Sequence, residues 1–332
     1  MADRAALRAP RIVAIGGGTG LSTILRGLKH VSPNITAIVS MADNGGGSGV
    51  LRQELGMPPP GDVRNCLQAL ANTEPTMEAL LAYRFKEGTL RGQSFGNLFL
   101  AALNDMSGSF DEAVMRMSEV LAITGRVLPV TNENVELVAD FDDGVTVTGE
   151  SQIAEYKTGE SRRILRVYMS PARPAALPGC LEAISRADLI LLGPGSLYTS
   201  VIPNLLVEGI AEAIHAADAA KIYVMNLMTQ DGETEGFTAE DHVRALFDHG
   251  GEGLFDHALI NDLPVPAAAL EAYRAEGAAP LSVDVTALAR MGVRASFAPV
   301  ADYSKLLVRH DPAALAAAVM ELYRRISPTR IY

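Results

Sequence analysis

Arg11-Ile12-Val13-Ala14-Ile15-Gly16-Gly17-Gly18-Thr19-Gly20-Leu21-Ser22-Thr23-Ile24 decides how the rest of this chain is read. Four apolar residues, Ile12 to Ile15, have the character of a strand buried in a parallel sheet. They run straight into Gly16, Gly17, Gly18 and Gly20, after which Leu21, Ile24, Leu25 and Leu28 recur at helical spacing. Ser22 and Thr23 are candidate N-caps for that helix. Strand, glycine loop and helix together build a phosphate cradle. Residues without Cβ let the backbone approach an anion, and the free N–H groups at the helix start point toward it. No Lys follows the glycines, which excludes a Walker A loop. Leu21 stands where a dinucleotide fingerprint has its third glycine, so a tight strand-to-helix turn is the alternative reading.

Outward from this unit, apolar runs alternate with helical patterns. Strand-like runs are Ile12–Ile15, Ile35–Ser40, Ile164–Tyr168, Leu189–Leu192, Ile222–Met225 and Ala258–Ile260. Helical periodicity falls near 62–72, 76–84, 96–106, 110–121, 203–215, 239–248, 267–275 and 312–325. This rhythm predicts an α/β fold with a doubly wound, mostly parallel sheet. Residues 62–121 read as a helical insertion. Residues 134–156, alternating around Asp142-Asp143-Gly144, read as a β-hairpin insertion. The expected organisation is a flexible N-terminus over 1–10, one α/β domain over 11–326 and a C-terminal tail over 327–332.

The 332 residues carry a net charge of −11 and a pI near 5.1, with 48% hydrophobic and 20% charged residues. A sizeable core can form, and the acidic balance argues against a nucleic-acid or membrane-surface binder. Cys66 and Cys180 have no metal or redox spacing and read as core residues in a reducing cytoplasm. No stretch approaches 18 apolar residues, and the N-terminus lacks a signal core, so no membrane span is expected.

Four further loops follow strands. Asp43-Asn44-Gly45-Gly46-Gly47-Ser48-Gly49 is a second anion wrapper, and Asp43 lies where dinucleotide sheets often place a ribose-binding carboxylate. In Pro58-Pro59-Pro60-Gly61-Asp62-Val63-Arg64-Asn65, prolines stiffen the approach and Asp62 reads as an N-cap. Gly193-Pro194-Gly195-Ser196-Leu197-Tyr198-Thr199-Ser200 is a second helix-starting glycine loop. Such loops gather at the carboxyl ends of strands in an open α/β sheet and could grip two ends of one ligand. Asn226 to Thr234 is polar and long for an αβ connection.

These stretches, with Ser94-Phe95-Gly96-Asn97-Leu98, Met228-Thr229-Gln230 and Gly232-Glu233-Thr234, resemble the gluconeogenesis-factor (YvcK-like) family, within the 2-phospho-L-lactate transferase (CofD-like) superfamily. The matches run in family order from about residue 11 to 325. The resemblance implies a Rossmann-like fold, a cytoplasmic role and binding of UDP-sugars such as UDP-N-acetylglucosamine. It implies support of peptidoglycan precursor supply and cell shape on gluconeogenic carbon sources. Tyr273 and Arg309 match family positions tied to UDP-sugar binding. Arg309 also precedes Asp311-Pro312, an N-cap and first-turn proline, where a guanidinium could clamp a phosphate. The family loop usually reads Asp-Asp-Gly-Gly-Ser-Ser-Gly-Arg, and this chain has Asn44, Gly47 and Val50 instead of the second Asp, first Ser and Arg. Gln93 stands where His is common.

The expected ligand set is therefore Gly16, Gly17, Gly18, Thr19, Gly20, Leu21, Asp43, Asn44, Asp62, Asn65, Asn97, Gly193, Gly195, Ser196, Tyr198, Thr199, Ser200, Asn226, Thr229, Gln230, Tyr273 and Arg309. Gly16–Leu21 and Gly193–Ser200 hold the diphosphate, Asp43 a hydroxyl, and Tyr273 covers the uracil or sugar. The expected ligand is a UDP-sugar or dinucleotide, with no required cofactor. A regulatory protein partner and a homo-oligomer are expected as well. The alternative is a phosphoryl- or nucleotidyl-transferase in which Asp43 or Asp62 holds Mg²⁺. A dinucleotide-dependent oxidoreductase, the third reading, lacks the full fingerprint.

Overall fold

The computed structural model describes residues 9–157, 162–304 and 307–327. Residues 1–8 of the expected flexible N-terminus and 328–332 of the expected tail lie outside the described residues. The opening unit forms β1 (Ile12–Gly16), α1 (Gly18–Leu28) and β2 (Ile35–Val39). Five helices follow: α2 (Gly46–Leu55), α3 (Gly61–Leu70), α4 (Pro75–Ala82), α5 (Phe95–Asp105) and α6 (Phe110–Val120). Then come β3 (Arg126–Pro129), β4 (Glu136–Phe141), β5 (Thr146–Thr148), α7 (Glu150–Lys157) and β6 (Ile164–Ser170). The chain returns through α8 (Pro178–Ser185), β7 (Leu189–Leu192), a π-helical turn over Leu197–Val201, α9 (Ile202–Leu205) and α10 (Ile210–Ala216). It continues with β8 (Ala220–Val224), α11 (Ala239–Gly250), β9 (His257–Asn261), α12 (Ala267–Ala275) and α13 (Val285–Arg290). Last come β10 (Arg294–Ala298), the short β11 (Ala301–Asp302) and β12 (Arg309–His310), and α14 (Pro312–Ile326).

The central sheet has seven strands in the order β10-β9-β8-β7-β1-β2-β3, and every neighbouring pair is parallel. This is the expected α/β architecture. Every residue of β1, β2 and β7 is buried, which explains their unbroken apolar runs. The buried stripe of α1, Leu21, Ile24, Leu25 and Leu28, packs under α3 and α14. Each such side chain contributes about 1.5–3 kcal/mol by leaving water. At Gly27 a Cβ would lie 1.9 Å from the Pro312 carbonyl oxygen, so the α1–α14 contact needs glycine there.

Several local expectations are corrected. Ser22 and Thr23 do not cap α1: Gly17 is the N-cap, and both hydroxyls donate back to the Thr19 carbonyl, at 3.0 and 2.8 Å. Nor does Asp62 cap α3, which starts one residue earlier behind Pro60. The Asp43–Gly49 loop is already helical from Gly46, so the helical insertion begins there. Ile164–Tyr168 is a strand, but it pairs antiparallel with β4 in a separate three-stranded sheet, β5-β4-β6. The hairpin turn at Asp142-Asp143-Gly144 stands as read, with Gly144 at φ 83°. The pattern near 203–215 is interrupted at Leu206–Gly209, where Gly209 takes φ 85°.

Candidate functional site

Strand order reverses between β1 and β7: β2 and β3 lie to one side, β8 to β10 to the other. At such a switch point the connections leave in opposite directions and open a crevice beyond the carboxyl ends. The two glycine loops meet there. Gly20 touches the second loop so closely that a Cβ would sit 2.4 Å from the Pro194 carbonyl oxygen. Gly18 turns at φ 61° and Gly193 at φ 72°, a conformation that favours glycine at both positions.

On one side of this contact lies a cavity of about 470 Å³. Thr19, Gly20 and Thr23 of α1 form one wall, and Pro194, Gly195 and Ser196 the next. The loop after β8 adds Asn226, Leu227, Met228, Thr229 and Gln230, and Tyr273, Val308, Arg309 and His310 close it. The loops are laced together. Asn226 Nδ2 donates to the Gly195 carbonyl at 3.0 Å, and Ser196 Oγ to Gln230 Oε1 at 2.8 Å. Thr229 Oγ1 accepts from Ala279 N–H at 2.9 Å. The Tyr273 hydroxyl accepts from Val308 N–H at 3.0 Å, which fixes the segment leading into Arg309. Asp311 Oδ1 caps α14 by accepting from Ala314 N–H at 2.7 Å, the N-cap read from sequence. Arg309 is exposed and lines this cavity, while burial holds the pKa of His310 down at about 4.

The other side of the cradle is acidic. Asp62 reaches under the first loop, where a Cβ on Gly17 would meet its Oδ2 at 2.7 Å. Burial, then the charge of Asp43, pushes the Asp62 carboxyl up to about 7, against a hydrogen bond from Gly18 N–H and the nearby Arg64. Glu150, first residue of α7, is pushed to about 9 by burial and by Asp43, Asp62 and Glu233. Asp43 Oδ1 accepts from Gly45 N–H at 2.9 Å. Among the described residues no group of three His, Cys, Asp or Glu is arranged to hold a metal ion.

The remaining expected residues divide. Ser200 faces the cradle, its Oγ 3.6 Å from where a Gly18 Cβ would stand. Leu21 is fully buried in the core, so its side chain is no ligand contact. Tyr198 is 4% exposed and packs edge-on against Phe237 and His249. The N–H groups of Tyr198 and Thr199 donate to Glu233 Oε1, at 2.8 and 2.9 Å, so an internal carboxylate takes what the sequence reserves for a phosphate. Asn44 is turned to the hairpin insertion, where its Oδ1 accepts from Ser151 N–H and its Nδ2 donates to Gln152. Asn97 Oδ1 accepts from Arg64 Nε at 3.1 Å in a buried pair, and Asn65 is half-buried on α3. Gln93 lies beside Gly47, buried, with its Oε1 unpartnered among the described residues.

Sequence reasoning missed Glu150, Glu233 and His310. Glu233 lies inside the noted Gly232-Glu233-Thr234 stretch, and His310 adjoins Arg309; both could have been found by proximity. Glu150 has no such signal, because only the antiparallel sheet brings α7 over the Asp43 loop.

The sequence profile of the family described as 2-phospho-L-lactate transferase CofD matches residues 12–301. A Thermoanaerobacterium thermosulfurigenes protein is 51% identical over 322 residues, 97% of this chain and 99% of its own length. The Bacillus subtilis gluconeogenesis factor is 46% identical over 316 residues, 95% of this chain and 98% of that protein. The crystal structure of a Bacillus halodurans protein matches at a TM-score of 0.90 and 45% identity, covering 94% of this chain and 99% of that one. The switch-point site thus sits on a CofD-type α/β fold, and the chain belongs to the gluconeogenesis-factor family of that group. Among the described residues no helix is long and apolar enough to cross a membrane.

Proposed function

We propose that the protein binds a UDP-sugar, with UDP-N-acetylglucosamine as its reference ligand, and regulates rather than transforms it. The observation that carries this reading is the 470 Å³ cavity, where Arg309, Tyr273 and Asn226 surround the first turn of α1. The diphosphate lies over the free start of α1 at Thr19 and Gly20, where backbone N–H groups and the helix dipole favour an anion. Arg309 offers it a planar fork of donors. The uridine enters beside Tyr273 and Thr229. The sugar turns toward Asp43, Asp62 and Glu150, carboxyls suited to hydroxyl donors. A site that needs no metal and no turnover suits a sensor in the cytoplasm, one that passes the level of a cell-wall precursor to a partner protein and so supports cell shape.

The test is a thermal-shift panel followed by calorimetry. UDP-N-acetylglucosamine, UDP-glucose, GDP and NAD are compared with and without Mg²⁺. A ligand that binds the native state raises the melting temperature by mass action. The UDP-sugars are expected to raise it most, with little change when Mg²⁺ is chelated. Equal or absent shifts for all four overturn the reading.

A further inference from the structure

A second cavity, of about 920 Å³, lies at the opposite end of the central sheet from the switch point. It is lined by the residues that open β8, β9 and β10 (Ala220, His257 and Arg294) and by the last turn of α14. Arg294 and Arg325 both line it. Arg325 Nη2 donates to Ser296 Oγ at 3.1 Å. The Arg294 side chain makes no hydrogen bond or ion pair among the described residues. His257 lines it too, 6% exposed, with Nδ1 unpartnered among the described residues and Nε2 3.9 Å from Asp256 Oδ2. Burial lowers the His257 pKa most; Asp256 opposes this, and the charges of Arg294 and Arg325 add to the lowering.

An arginine in the last turn of a helix complements the dipole, which accounts for Arg325 alone. It does not account for Arg294, which opens an edge strand and lines the same cavity without a side-chain hydrogen bond or ion pair among the described residues. Two arginines lining one cavity favour an anion in it. Planar guanidinium forks match phosphate oxygens, and the Ser296 hydroxyl, already accepting from Arg325, keeps its own proton to donate. Asp218 and Asp256 also line the cavity, and carboxylates accept from hydroxyls.

We propose that this cavity is a second ligand site, for the phosphate monoester of a small hydroxylated molecule. Arg294, Arg325 and Ser296 hold the phosphate, and Asp218 and Asp256 receive hydroxyls of the organic body. The site is separate from the switch-point crevice, so a metabolite bound here is read independently of the nucleotide pocket.

The probes are glycerol 3-phosphate, inorganic phosphate and glycerol, titrated into the full chain by calorimetry and by amide NMR. Glycerol 3-phosphate is expected to bind more tightly than inorganic phosphate, and glycerol not at all. The amides of Ala295, Ser296 and Phe297 are expected to shift. Arg294→Ala and Arg325→Ala should each weaken binding by about tenfold, equivalent to 1.4 kcal/mol. Arg309→Ala, in the other pocket, should leave it unchanged. Arg294→Gln, which keeps bulk and polarity at an exposed strand end, replaces any variant whose melting curve reveals misfolding. No heat and no shift at millimolar phosphate overturn the proposal, as does binding that survives Arg294→Ala but is lost in Arg309→Ala. Equal affinity for inorganic phosphate and glycerol 3-phosphate overturns the role given to Asp218 and Asp256.

Discussion

Replacing Glu233 by Ala removes the carboxylate that holds the second glycine loop. Its Oε1 accepts from Tyr198 N–H at 2.8 Å and Thr199 N–H at 2.9 Å, and the residue is 2% exposed. A hydrogen bond to a charged group contributes about 1.5–3 kcal/mol, and a buried N–H left without an acceptor keeps its desolvation cost. Two such bonds share one oxygen here, so the expected loss is roughly 3–5 kcal/mol rather than a full sum. In Glu233→Gln a carbonyl oxygen still accepts and only the charge is lost, which lowers the cost to about 1–2 kcal/mol. Against a typical stability of about 5–15 kcal/mol, the Ala variant is marginal and the Gln variant sound. Urea unfolding at neutral pH measures both, with unchanged slopes certifying that stability rather than compactness moved. An Ala variant within about 1 kcal/mol of the wild type refutes the reasoning. A Gln variant as damaged as the Ala variant refutes it too, because the acceptor would then not be what matters.

Arg309→Ala should weaken UDP-N-acetylglucosamine binding by about ten- to a hundredfold, with Arg309→Lys recovering part and the ligand-free melting temperature hardly moving; side-by-side calorimetry and melting curves decide. Gly20→Ala places a Cβ 2.4 Å from the Pro194 carbonyl oxygen, so the loops must part. The expected cost is about 1–3 kcal/mol of stability together with weakened ligand binding, and wild-type values in both assays would contradict the contact. Asp62 has its pKa raised from 3.8 to about 7, so the folded state binds its proton more tightly than the unfolded state does. Its contribution to stability therefore falls as pH rises from about 4 to about 7 and stays lost above. Asp62→Asn should gain on the wild type across that window, by on the order of 4 kcal/mol at most, and parallel pH profiles of unfolding would count against it.

The parallel core was legible because its strands are apolar at every position, a pattern that period and length identify without tertiary context. Arg126–Pro129 and Arg294–Ala298 escaped notice because they lie at the two edges of the sheet, where exposed residues break the apolar run. Ile164–Tyr168 read correctly as a strand and wrongly as part of the parallel rhythm, since a strand's own residues do not name its partner. At the site, the glycine loops announced close backbone approach, which the Gly20–Pro194 contact realises. What the residues could not announce was competition. Glu233 and Asp62 take N–H donors that the loop sequences alone leave free, and only the folded chain brings them there.

Gly27 against Pro312 has a consequence for the order in which the molecule comes into being. Synthesis makes the α1 groove almost three hundred residues before the segment that fills it. Arg309 enters the crevice on the approach to that same helix. Until synthesis has passed residue 312, the first βα unit stands with an open flank and the crevice lacks one of its cations. The open flank and the incomplete crevice thus persist until the α14 segment has been made and has docked on α1.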